Sequence, residues 1–114
     1  MTPRERLGEL EEMVLLAVLR LAGEAYGGAL RRELRARAGR SPSVSTIYIT
    51  LMRLEAKGLV ASRIGESISP RGGRPRRLFT ATAAAVEELR AVKVARDRLW
   101  EGLDETAPAR RPAR

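Results

Sequence analysis

Cysteine and histidine are both missing from the 114 residues of the chain. Without cysteine there is no disulfide, no thiolate nucleophile and no thiolate metal site. Without histidine there is no imidazole base, no Ser-His-Asp triad and no His-ligated zinc. The one glycine pair with loop character, Gly72-Gly73, lacks the Lys-Ser/Thr that a phosphate-binding P-loop needs. Glu87, Glu88 and Asp97 have no partner spacing for a carboxylate site and read as a solvated face. The sequence therefore predicts no enzyme, no catalytic residue, no metal and no cofactor. Long apolar runs are lacking too. The longest is Met13 to Leu19, ended by Arg20, against the roughly 18–20 residues of a membrane span. No apolar stretch follows the charges of the first six residues, as a signal peptide would require. The expectation is a soluble cytoplasmic protein with no membrane association.

What is abundant is positive charge, almost all of it arginine. Lys+Arg total 22 against 14 Asp+Glu, giving a net charge of +8 and a pI near 11.3. Such a balance favours an anionic partner, nucleic acid ahead of an anionic membrane surface. Arginine also suits phosphate, because the planar guanidinium binds it through two parallel hydrogen bonds. Apolar residues make up 44% of the chain, enough for one packed core in one domain.

The order of elements narrows the fold. Residues 1–8 read as a flexible lead-in. Glu9 to Ala22 has helical spacing (Leu10, Val14, Ala17, Val18, Leu21), with Gly23 as the expected C-cap. Met13, Leu15, Leu16 and Leu19 make this helix apolar nearly all round, and a second subunit is one source of cover for it. A second helix is expected over 27–38, with Arg31, Arg32 and Arg35 outward as phosphate clamp or plain surface. A third runs from the N-cap Ser43 to just before Gly58. Val44, Ile47, Leu51 and Leu54 form its inner stripe, and Tyr48 lies beside it. Ser45, Thr46, Ile49, Thr50 and Arg53 face the other way. Two strands, 59–64 and 76–80, flank the Gly/Pro-rich segment 65–75, making a hairpin whose long tip carries Arg71, Arg74, Arg76 and Arg77 around Gly72-Gly73. A fourth helix is expected from Thr82 to about Leu103, with a seam at Ala85, Leu89, Val92, Arg96, Leu99 and Leu103. The tail, 104–114, reads as disordered and basic.

The expected fold class is mainly α with a small β-hairpin: a winged helix-turn-helix over 9–81, and a long C-terminal dimerisation helix over 82–103. A recognition helix of this kind enters the major groove of double-stranded DNA, and a basic loop follows the backbone or the minor groove.

At this point the residues resemble a known family. Ser43-Val44-Ser45-Thr46-Ile47-Tyr48, Leu51, Leu54-Glu55 and Gly58-Leu59-Val60 are similar to the recognition-helix signature of PadR-type transcriptional regulators. Glu24-Ala25-Tyr26-Gly27 resembles the opening of that family's second helix, and Gly73-Arg74-Pro75-Arg76-Arg77-Leu78-Phe79 with Thr82 resembles its wing. The sequence departs from the pattern at Ser45 and Met52, where glycine and a basic residue are common. The resemblance implies a short family form with a single C-terminal helix, acting as a homodimeric repressor on a pseudo-palindromic operator. It implies a dimer interface that includes Leu10, Val14, Leu89, Val92, Leu99, Trp100 and Leu103. Trp100 reads as a packing residue or, with Val14 and Leu99, as part of a pocket for a small aromatic effector. DNA contact is expected from Ser43, Ser45, Thr46, Ile49, Thr50, Arg53, Arg71, Gly73, Arg74, Arg76 and Arg77, and from Tyr48, which is core edge or phosphate contact. The rival reading is a winged-helix interaction module whose basic surface meets an acidic protein partner.

Overall fold

The computed structural model describes residues 7–66 and 75–103. Arg71, Gly73 and Arg74, expected at the wing tip, lie outside the described residues, as do 1–6 and the tail 104–114. The elements run α1 (Glu9–Leu21), α2 (Gly27–Ala38), α3 (Val44–Ala56), β1 (Val60–Ile64), β2 (Arg77–Ala81) and α4 (Ala83–Trp100). This is a winged helix-turn-helix with a long terminal helix. Among the described residues, no helix is long and apolar enough to cross a membrane.

Local chemistry sets most boundaries. Ser43 caps α3 by accepting from the Thr46 N–H at 3.1 Å. Thr82 caps α4 from Ala85 N–H at 3.3 Å and donates its hydroxyl to Gly58 O at 2.9 Å, tying α4 to the end of α3. Gly39 closes α2 in the left-handed region, φ 66°. The end of α1 differs from expectation. Ala22 itself takes the left-handed C-cap, φ 46°, and Gly23 follows at φ 96°. Leu7 and Gly8, expected in the lead-in, belong to the fold: Gly8 is the N-cap of α1, and Leu7 packs on the core.

The core is shared by every element. Val14, Leu15, Val18, Leu30, Ile47, Leu51, Leu54 and Phe79 are closed off from solvent. Val44, expected inward, is instead exposed at the start of α3. The strands pair antiparallel with Ser62 opposite Phe79. A single bridge adds Ala25 to this ribbon, through the Phe79 N–H to Ala25 O at 2.9 Å.

Helices α2 and α3 approach through a bare backbone. A Cβ on Gly27 would lie 2.8 Å from Tyr48 Cε2 and 3.1 Å from Val44 Cγ1. The Tyr48 ring is itself edged against Phe79, centroids 6.1 Å apart, so it has little room to retreat. Gly27→Ala is therefore expected to cost about 1–3 kcal/mol of stability from the forced repacking. Urea denaturation measures this, and wild-type stability would show that the helices have slack.

Helix α4 changes its surroundings along its length. Ala85 and Leu89 are buried in the chain's own core, and Arg96 meets Glu12 of α1 at 2.8 Å. Beyond that point its apolar side chains stand exposed among the described residues: Leu99 is 77% exposed and Trp100 59%. Leu103, expected on the helix, lies past its end at Trp100 and is exposed.

Candidate nucleic-acid interface

The outer face of α3 carries Ser45, Thr46, Ile49, Met52 and Arg53, all exposed. Ile49 is 52% exposed and Met52 63%. Ser43 is occupied as the cap: it accepts from Thr46 N–H and donates to Thr46 Oγ1 at 3.0 Å. Thr46 then still has its hydroxyl proton to donate outward. Thr50, expected on this face, is only 5% exposed and donates its hydroxyl to Thr46 O at 2.8 Å. Its polar group is satisfied within the helix, so it leaves the contact set. Tyr48 has its ring at the edge of the core against Phe79.

Behind this face an ion pair locks α1 to α3. Glu11 is nearly buried, and Lys57 Nζ reaches its carboxylate oxygens at 2.8 and 3.1 Å. The Gly8 N–H donates to Glu11 Oε1 at 2.8 Å, capping α1 in reverse. Burial pushes the Glu11 carboxyl up. The hydrogen bonds from Lys57 and Gly8, with the charges of Lys57 and Arg53, outweigh it and hold the group below the usual carboxylate range. Sequence alone gave no sign of this pair, 46 positions apart; only the Gly8-x-x-Glu11 spacing hinted at the cap. A groove of about 980 Å³ runs between the first turn of α1 and the outer flank of α3, with Thr46, Ile49 and Arg53 on one wall and Glu9 and Glu11 on the other.

The wing root is fastened to the helices. Arg77 donates to Ser62 Oγ at 3.1 and 3.2 Å and lies 3.6 Å from Glu55 Oε1 of α3. Arg76 precedes β2 rather than opening it, and stacks 3.8 Å from the centroid of the Tyr26 ring. Arg31 donates to Pro42 O at 3.0 Å, holding the turn between α2 and α3.

Two of the residues expected at a dimer interface are already used. Val14 and Leu89 are buried inside the single chain, so neither has surface to offer a partner. Leu10 is half-buried against the same core. Of the three residues suggested for an effector pocket, Val14 is sealed in the core of the single chain, while Leu99 and Trp100 stand in solvent.

The sequence pattern of the transcriptional regulator PadR-like family matches residues 15–91. The structure is similar to a PadR family transcriptional regulator from Eggerthella lenta at 30% identity and a TM-score of 0.66, over 90% of this chain and 88% of that one. It is similar in fold to a PadR-like transcriptional regulator from Bacillus cereus, at 20% identity and a TM-score of 0.68, over 89% and 93% of the two chains. Bacillus subtilis PadR in complex with operator DNA also shares the fold, at 20% identity and a TM-score of 0.59, over 92% of this chain and 50% of that one. Comparison with curated proteins gives no match.

Proposed function

The chain belongs to the PadR-like family of transcriptional regulators, a family of regulators and not of enzymes, and we propose on that premise that two copies bind one operator and repress transcription. The observation that carries this reading is the outer face of α3. Ser45, Thr46, Ile49 and Arg53 are held exposed on a capped, core-anchored helix. Hydroxyls, an arginine and an exposed β-branched side chain are the groups that read base edges and thymine methyls in a major groove. Bacillus subtilis PadR is seen with operator DNA, and the same class of target fits this chain.

Two copies would join through the uncovered apolar side chains. Leu16 and Leu19 on α1, Leu99 and Trp100 at the end of α4, and Leu103 just past it, are exposed in the single chain. Val92, half-buried, continues that row. An aromatic effector would meet Leu99 and Trp100 there, without Val14. Paired recognition helices would then read half-sites about one helical turn, ~10 base pairs, apart.

Selection of bound fragments from genomic DNA, followed by gel-shift competition, tests this reading. A pseudo-palindromic site that resists competition by random DNA is expected. Equal displacement by random DNA would overturn sequence-specific binding. On the selected site, Arg53→Ala is expected to lose about 1–3 kcal/mol and to relax base preference, as removal of a bidentate base contact does. Unchanged affinity in an anisotropy titration would remove Arg53 from the reading face.

A further inference from the structure

Tyr26 sits where α2 begins, facing the wing root. Its ring settles on the first turn of α2 because Gly28 has no side chain: a Cβ there would lie 3.2 Å from Tyr26 Cε2. The Arg76 guanidinium stacks on the ring at 3.8 Å from its centroid. Arg32 donates from Nη2 to the Tyr26 hydroxyl oxygen at 2.8 Å. Two cations from distant parts of the chain thus meet on one phenol. Next to it, Gly27 lies against Val44 and Tyr48 of α3, so the cluster borders the N-terminal half of the recognition helix.

Among the described residues, no carboxylate balances the two cations of this cluster. Arg20, Arg37, Arg40, Arg77 and Arg96 each face a glutamate within 4 Å. Among the described residues, neither Arg32 nor Arg76 has such a partner. The hydrogen-bond inventory shows what the cluster can hold. Stacking uses the face of the Arg76 guanidinium and leaves its in-plane N–H groups free. The Tyr26 oxygen accepts from Arg32, so its own proton is available to donate. Arg32 keeps its remaining N–H groups. The site offers donors and positive charge to a ligand that brings acceptor oxygens and negative charge.

We propose that Arg32, Tyr26 and Arg76 form one binding site for a phosphodiester of the DNA backbone, with Tyr26 also positioning the wing-root arginine. The site rests on the DNA-binding reading above and is separate from the base-reading face of α3. It fixes where the wing meets the duplex by joining α2 and the wing root on a single phosphate.

A backbone site is blind to sequence, so a random duplex of about 30 base pairs is a sufficient probe. The full chain is titrated by fluorescence anisotropy across a salt series. Arg32→Ala and Arg76→Ala are each expected to lower the salt slope by about one. The double variant should lose little more than either alone, because both arginines hold the same phosphate. Arg98→Ala, which removes the same charge from exposed α4, should leave the slope at the wild-type value. Tyr26→Phe keeps the stack and drops the hydroxyl, so affinity should fall severalfold with no change in melting temperature. Tyr26→Ala should weaken the wild type but add nothing to Arg76→Ala. Slopes for Arg32→Ala and Arg76→Ala that match Arg98→Ala would overturn the site. Full additivity of Tyr26→Ala and Arg76→Ala would overturn the positioning role. A wild-type chain that binds no duplex even at low salt would sink the DNA-binding reading itself, whereas wild-type binding with indifferent cluster variants would sink the site alone.

Discussion

Glu11→Ala is expected to lower the unfolding free energy by about 1–3 kcal/mol at neutral pH, below the cost of breaking a fully buried ion pair because Lys57 is partly exposed. Three things are lost together. The Lys57 ammonium loses the carboxylate that offsets its partial burial. The Gly8 N–H loses its acceptor at the start of α1. The link between the first turn of α1 and the last turn of α3 is cut. The effect also has a pH signature. Folding holds the Glu11 carboxyl below its ordinary range, so the native state favours the ionised form. That contribution is complete above the unfolded-state value, about 4.3, and fades as the pH falls through the lowered native value. The stability difference between wild type and Glu11→Ala should therefore be large at pH 7 and shrink toward about pH 3. Urea denaturation at the two pH values reads it directly. An unchanged difference would mean that the pair adds no net electrostatic stability.

If two copies join through α4 as proposed, Leu99→Asp is expected to separate them while leaving each fold intact. The side chain is 77% exposed in the single chain, so an aspartate there disturbs little of its own protomer. In a pair it would bury an unmatched carboxylate in an apolar seam. Light scattering after size exclusion should show single chains at micromolar concentration. Operator affinity should fall by about 100-fold or more, since two linked half-site contacts become two independent ones. Affinity for an isolated half-site should stay the same. A variant that remains dimeric would show that the terminal helix is not the joint.

How much of this could be read from the sequence depended on distance along the chain. Ser43 and Thr82 announced their caps because a cap is a local hydrogen bond between near neighbours. The outward row of Ser45, Thr46, Ile49 and Arg53 followed from helical spacing alone. Periodicity failed at Val14 and Leu89, because it marks a position as apolar without saying whose body covers it. It failed at Thr50 because a hydroxyl that bonds back to its own helix looks, in sequence, like one that faces out. The pairs Glu11–Lys57, Arg77–Glu55 and Arg76–Tyr26 join residues that only the closed fold brings together.

The fastening of the wing has a consequence for control. Arg77 on Glu55, Phe79 on Ala25 and Tyr48, and Thr82 on Gly58 fasten the hairpin base to α3 and to the segment before α2. Hairpin base and reading rod form one stiff block, so bending one against the other would break several contacts at once. If two such blocks pair on one operator as proposed, a signal that loosens them has a cheaper course open to it: leave each block untouched and change the gap between the two.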